Sequence, residues 1–246
     1  MDQKKLNKTV QEIAEKGLIS NSKRALQDIS HKIFEQGFCT LKYALKHYIS
    51  LLPKEAMKLE KNCPTVNWGE TPIWLPKSKI YLLRDVFGHL LNNSLAHGIE
   101  KPAARKLKGL CETGQIFLSV KYEIDCTKIR FRDDGNGLNL DKLGEITSSE
   151  NGDQKLADTI FESGVSTAKS ITDISGRGVG MNAVKSFLIK EGGNIHIEFL
   201  DDASLNGYRK FEFVITLPYV IPASLQQSKD EVELPMVSER ILSQDH

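Results

Sequence analysis

Residues 79–100 read KIYLLRDVFGHLLNNSLAHGIE. Leu83, Phe87, Leu90, Leu91 and Leu95 recur at intervals of three and four, so the segment is an amphipathic helix with an apolar stripe facing a core. His89, Asn93 and His97 recur at every fourth position and share a second face, away from the leucines. Simple solvation is the ordinary explanation of a polar face. Two histidines and an asparagine, with no lysine or glutamate among them, also suit another use. The asparagine offers a neutral amide oxygen of the kind taken up by a Mg²⁺ ion that keeps several waters and binds phosphates.

Downstream, QIFLSVKYE (115–123) and KIRFRDD (128–134) alternate with period two and are expected to pair antiparallel. The alternation puts Ile129, Phe131 and Asp133 on one face and Lys128, Arg130 and Arg132 on the other. Asp133 thus ends an apolar row and needs donors, because an unpaired buried carboxylate is costly. An adenine amino group is one such donor. A turn made by Gly135 and Gly137, capped by the same carboxylate, is the other reading. MNAVKSFLIKEGG (181–193) reads as a helix stopped by Gly192 and Gly193, and NIHIEFL (194–200) with YRKFEFVITLP (208–218) as a second hairpin around Asn206–Gly207. Antiparallel hairpins with helices between them predict an α+β fold, a two-layer α/β sandwich rather than a doubly wound parallel sheet.

The remaining stretches set the organisation. Residues 1–60 show helical spacing at Ile29 and Ile33 and again at Leu41, Leu45, Tyr48 and Leu52, with Gly17 and Gly37 as interruptions and Pro53 ending the second stripe. Residues 62–78 read as a short strand and a loop. Residues 139–175 are polar, broken only by LADTIFESG, and a connection of that length suggests a lid. The expected division is a helical segment at 1–61, suited to dimerisation or signalling, a main domain at 62–221, and a polar tail at 222–246.

Of the 246 residues, 40% are apolar and 26% charged, the balance of a globular chain. The net charge of +1, without a sustained basic run, gives no footprint for nucleic acid. Cys39, Cys63, Cys111 and Cys126 lie far apart with no C-x-x-C pair, so they read as reduced thiols and not as a zinc site. There is no apolar signal core and no run of about 18 apolar residues, so the chain is expected to be cytoplasmic, without direct membrane insertion.

DISGRGVGMNAV (173–184) places Gly176, Gly178 and Gly180 at alternate positions before a helix. Such backbone can approach phosphate oxygens, and the helix N-terminus favours anions. No strand precedes it, which argues against a dinucleotide-binding turn, and no G-x-x-x-x-G-K-[ST] loop exists.

In order, HLLNNSLAHGIE, DDGNGL, IFESGVSTAKS and GRGVGMN resemble the N, G1, F and G2 boxes of the GHKL ATP-binding superfamily, and most closely the ATP-binding domain of CheA-like chemotaxis histidine kinases, over roughly residues 62–220. The resemblance implies a mixed, mainly antiparallel sheet with helices on one face, and ATP held between the N-box helix and a flexible lid. It implies that Asn93 binds Mg²⁺, that Asp133 accepts from the adenine amino group, and that Gly135 and Gly137 line the adenine end. Gly176, Arg177, Gly178, Val179, Gly180 and Met181 would close over the phosphates. His97 would sit near them, and His89 would orient or deprotonate the attacking group. Phe161, Ser166 and Thr167 would belong to the lid. Ala96, Asn92, Val165 and Asn182 depart from the pattern, standing for an aspartate, an arginine, an aromatic residue and an aspartate. The implied activity is phosphoryl transfer from ATP to a histidine, in a homodimer served by a response regulator or phosphotransfer protein. The departures leave a nucleotide-sensing module without transfer as the alternative. His31, in DISHKIFEQ, is a candidate acceptor.

Overall fold

A computed structural model describes residues 37–147, 152–162, 180–202 and 207–218. The expected helices before residue 37 and the tail beyond Pro222 lie outside the described residues.

The sheet follows from alternation. In β4 (Gln115–Tyr122) Ile116 and Leu118 are buried, and in β5 (Thr127–Asp133) Ile129 and Phe131 are. The two strands pair antiparallel, with Leu118 opposite Phe131 and Val120 opposite Ile129. β9 (Phe211–Leu217) continues the row on the other side of β5, setting Phe213 opposite Phe131 and Ile215 opposite Ile129. β7 (Asn194–Phe199) closes one edge antiparallel to β9. β2 (Thr65–Trp68) closes the other edge and runs parallel to β4. The order is therefore β2-β4-β5-β9-β7, the mixed, mainly antiparallel sheet that was expected.

One face of this sheet is covered. α3 (Ile80–Asn93) buries Leu83, Val86, Phe87, Leu90 and Leu91, the stripe at intervals of three and four. A later helix, α7 (Met181–Lys190), buries Val184 and Leu188, and both sets join Ile116, Phe131, Ile197 and Ile215 in one core cluster. The opposite face carries charge. Lys121 and Lys128 face each other across β4 and β5, and Glu123 relieves the repulsion by binding Lys128 at 2.9 Å and Lys121 at 3.5 Å.

Several local expectations are corrected. The stretch read as wholly helical contains a strand, β1 (Phe38–Thr40), antiparallel to β3 (Trp74–Pro76), and the latter adds a second strand to the segment read as strand and loop. After α1 (Leu41–Ala44), α2 (Lys46–Lys58) runs straight through Pro53 instead of ending there. Burial explains this: Leu52 and Ala56, on either side of the proline, sink against Leu95, and Leu41 and Leu45 join the main core. α4 (Pro102–Leu107) follows α3. Part of the polar connection is helical, as α5 (Leu140–Thr147) and α6 (Asp153–Asp158), with Leu140 and Leu143 buried. The last hairpin pairs as expected but is not tight. The ladder runs to Phe199–Phe211, with Leu200 N–H donating to Lys210 O at 2.9 Å beyond it, and β8 (Tyr208–Arg209) pairs with β6 (Leu138–Asn139).

Pro53 lacks the N–H that this turn of α2 would otherwise use, and it is exposed. Pro53→Ala is therefore expected to raise the unfolding free energy by about 2 kcal/mol, after allowance for the freer unfolded chain. Urea unfolding at unchanged m checks this, and a loss of stability would refute it.

Candidate functional site

The regular hydrogen bonding of α3 stops at Asn93, and Ser94–Gly98 form a π-helical turn. Such a widened turn leaves carbonyls without their usual partners, and Lys61 supplies one. Its Nζ donates to the oxygens of Leu95 at 2.7 Å, Ala96 at 3.0 Å and Ile99 at 2.6 Å. Burial draws the pKa of this ammonium below its ordinary value, and Glu100 pulls it back.

The turn carries two contacts to β5. Ser94 Oγ donates to Asp133 Oδ2 at 2.6 Å, and Gly98 lies so close that an added Cβ would stand 2.5 Å from that oxygen. Gly135 packs on the other side: its N–H donates to Asp133 Oδ1 at 2.9 Å, and a Cβ there would fall on the Gly98 carbonyl. The glycine at 135 is thus required by protein against protein. So is Gly137, at φ +90°, where a Cβ would strike the carbonyl of Arg209. Asp133 has both oxygens engaged once. A carboxylate has about four acceptor sites, so it can accept further donors. Burial raises its pKa, opposed by Ser94 and the Gly135 N–H.

Asn93 meets the start of α7. Its Nδ2 donates to Met181 Sδ at 3.3 Å, a weak bond that turns the amide oxygen the other way. Gly180 is the N-cap residue of α7, extended at φ −82°. His89 and His97 are close enough to repel when charged. Burial, then His97, lowers the pKa of His89. For His97, which keeps an exposed edge, desolvation lowers it first, then the positive charges of Lys61 and Lys142.

The structure therefore brings Asn93 to Met181 at the start of α7, and the turn after it to Asp133 and Gly135, with Gly137 at the end of the same loop; His89 lies one turn before Asn93 in α3, and His97 in the π turn. His31, Ser166, Thr167, Gly176, Arg177, Gly178 and Val179 lie outside the described residues. Phe161, read as part of the lid, is buried and anchors its segment: its ring stands edge-on to Phe213 at 6.3 Å, under Lys185 at 4.8 Å. Asn92 does not share the site. With His47, Tyr48 and Glu55 it lines a small cleft between α2 and α3.

Sequence reasoning missed two residues. Lys61 gave no signal, being one lysine among many. Arg105 sits in a charged stretch that reads as solvated, yet it is fully buried, donating to Asp134 at 2.7 Å, Glu100 at 3.2 Å and the Cys111 carbonyl at 2.6 Å.

A two-layer α/β sandwich, with polar side chains of one helix gathered against a carboxylate at the end of a central strand, is the plan of a GHKL-type ATPase domain. The chain belongs to the family of histidine kinase-, DNA gyrase B- and HSP90-like ATPases, whose sequence profile matches residues 79–221, more than half of its length. It is 31% identical over 225 residues to the chemotaxis protein CheA of Klebsiella aerogenes, a match covering 89% of this chain and 34% of that protein. It is 38% identical over 134 residues to the chemotaxis protein CheA of Bacillus subtilis, covering 50% of this chain and 20% of that protein. The chain thus spans about a third or less of these relatives. The fold of a mycobacterial sensor histidine kinase, MprB, superposes with a TM-score of 0.49 at 14% identity, over 75% of this chain and 99% of that one.

Lowered histidine pKa values have a definite sign. The unfolded chain binds these protons more readily, so stability is present above the ordinary histidine pKa of 6.5 and falls as the pH drops through the depressed values. Asp133 acts in the opposite sense, from its ordinary 3.8 upward. Urea unfolding at pH 7.5 and 5.5 is expected to show a loss on acidification that is smaller in His89→Asn, and an equal loss in the variant would contradict the assignment.

Proposed function

We propose that the chain is the ATP-binding catalytic domain of a CheA-like protein histidine kinase, which transfers the γ-phosphoryl group of ATP to a histidine in a two-component pathway. The observation that carries this reading is the environment of Asp133, fixed by Ser94 and Gly135 with acceptor capacity left over, beside the polar side chains of α3. An adenine amino group fits that capacity.

The donor set also fits Mg²⁺. Asn93 offers one amide oxygen, and the two histidines, held neutral by their lowered pKa values, add no charge. A single protein oxygen, with water and phosphate oxygens for the rest, is a usual arrangement for this ion. When bound, Mg²⁺ supplies neutralisation of charge on the phosphates. The protein's own part is positioning. Asp133 orients the base, Asn93 and His97 address the phosphate end, and Gly180 with Met181 opens α7 towards the same place, where helix N–H groups favour anions. His89, neutral near pH 7, is suited to accept a proton from or orient the attacking imidazole. The segment holding Ser166, Thr167 and Gly176–Val179 is the proposed lid.

On this reading the nucleotide-binding domain occupies about residues 62–221, with the preceding helices serving dimerisation or signalling. The acceptor is His31 or a histidine on another chain, and a response regulator takes the phosphoryl group onward in the cytoplasm.

Calorimetry with ATP and Mg²⁺ is expected to show binding that Asp133→Ala weakens by about tenfold or more, the worth of one buried hydrogen bond to a charged group. Incubation with γ-labelled ATP should place acid-labile label on a histidine, in this chain or an added phosphotransfer protein, and Asn93→Ala should abolish it. Binding without transfer to any acceptor would replace the kinase by a nucleotide sensor.

A further inference from the structure

Arg105 is the largest fully buried side chain among the described residues, and its guanidinium reaches three acceptors on three stretches of chain. Glu100, which it meets at 3.2 Å, lies two residues beyond Gly98. Asp134, which it meets at 2.7 Å, is the neighbour of Asp133. The segments that touch at Gly98 and Asp133 are therefore tied together again, one and two residues further on, by a single cation. Each anion is otherwise held: Lys108 binds Glu100 at 2.8 Å, and the N–H of Gln115 donates to Asp134 at 2.8 Å.

Buried ion pairs are poor evidence of stabilisation, since well-packed apolar residues often serve as well. The placement of this one does something apolar residues could not. Asp134 directly follows Asp133, and Glu100 directly follows the turn's exit at Ile99. One cation held by both carboxylates fixes the distance between the π turn and the end of β5. We propose that Arg105 is a positioning residue that holds the Asp133 carboxylate in place for the amino group of the base, and so sets the preference of this site for adenine. This rests on the reading of Asp133 as the adenine acceptor.

The test is calorimetric binding of two ligands to the full chain, in the presence of Mg²⁺: ATP, and purine riboside triphosphate, which lacks the 6-amino group. The unaltered protein is expected to prefer ATP by about tenfold or more. Lysine cannot reproduce a fork that reaches three acceptors. In Arg105→Lys the preference should therefore shrink to about threefold or less, with affinity for the analogue changed by no more than about twofold. Asp134→Asn leaves Arg105 on Glu100 and Cys111, and should lower the preference in the same direction. If Arg105→Lys fails to fold, as judged by its melting curve, the Asp134→Asn ratio decides. Equal loss of both ligands, or an unchanged ratio, would show a merely structural residue and overturn the proposal. If the unaltered protein binds both equally, or neither, the adenine reading of Asp133 itself fails, and the proposal falls with it.

Discussion

A side chain at Gly98 would collide with Asp133, and one at Gly135 would collide with Gly98. This contact between the end of α3 and the end of β5 has little tolerance, and the other features of the site follow from it. An ordinary α-helical turn after Asn93 would leave the chain on a tighter path. The π turn widens that path, so that Ser94 faces Asp133 and the Gly98 carbonyl accepts the N–H of Asn136 at 3.1 Å. Widening frees carbonyls that must find donors, and Lys61 meets three of them.

Two cations thus support the contact from opposite sides. Lys61, just past the end of α2, grips the turn through backbone oxygens, while Arg105 grips the flanking carboxylates. Their charges act differently on the site. Lys61 adds to burial in lowering the pKa of His97, and Arg105 pairs with Asp134, the neighbour of Asp133. Lys61, three residues past α2, and Leu45, in the core, tie the segment before β2 to the π turn and the core.

Periodicity made much of this legible in sequence. The stripe of α3 and the alternation of β4, β5, β7 and β9 each depend on one face being buried, and burial is what the pattern records. The glycines and Asp133 were legible as a motif, but what presses on them was not, because Gly98 and Gly135 are 37 positions apart by number and their collision depends on the π turn. Arg105 was hidden for the opposite reason: KPAARKLKG looks like a wet surface, and only the fold shows which of its cations is inside. Pro53 misled because a local rule about helix breaking lost to the burial of Leu52 and Ala56. Phe161 read as a lid residue because its motif neighbours do, whereas its ring is fixed against Phe213.

Of the positions that depart from the CheA-like pattern, Val165 lies outside the described residues, and Asn92, Ala96 and Asn182 are placed where they would cost the proposed nucleotide site little. Asn92 faces the cleft towards α2, and the contribution of Ala96 is its carbonyl, which accepts from Lys61. Asn182 stands in the first turn of α7, its Oδ1 within 2.8 Å of where a Cβ on Gly180 would be. A carboxylate there would favour the helix dipole but oppose an incoming phosphate, and an amide does neither. On the proposed reading, asparagine at 182 would therefore spare an incoming phosphate that repulsion. On that reading, too, the departures at Asn92, Ala96 and Asn182 bear on transfer more than on nucleotide capture, since they leave the Ser94–Asp133–Gly98 contact intact.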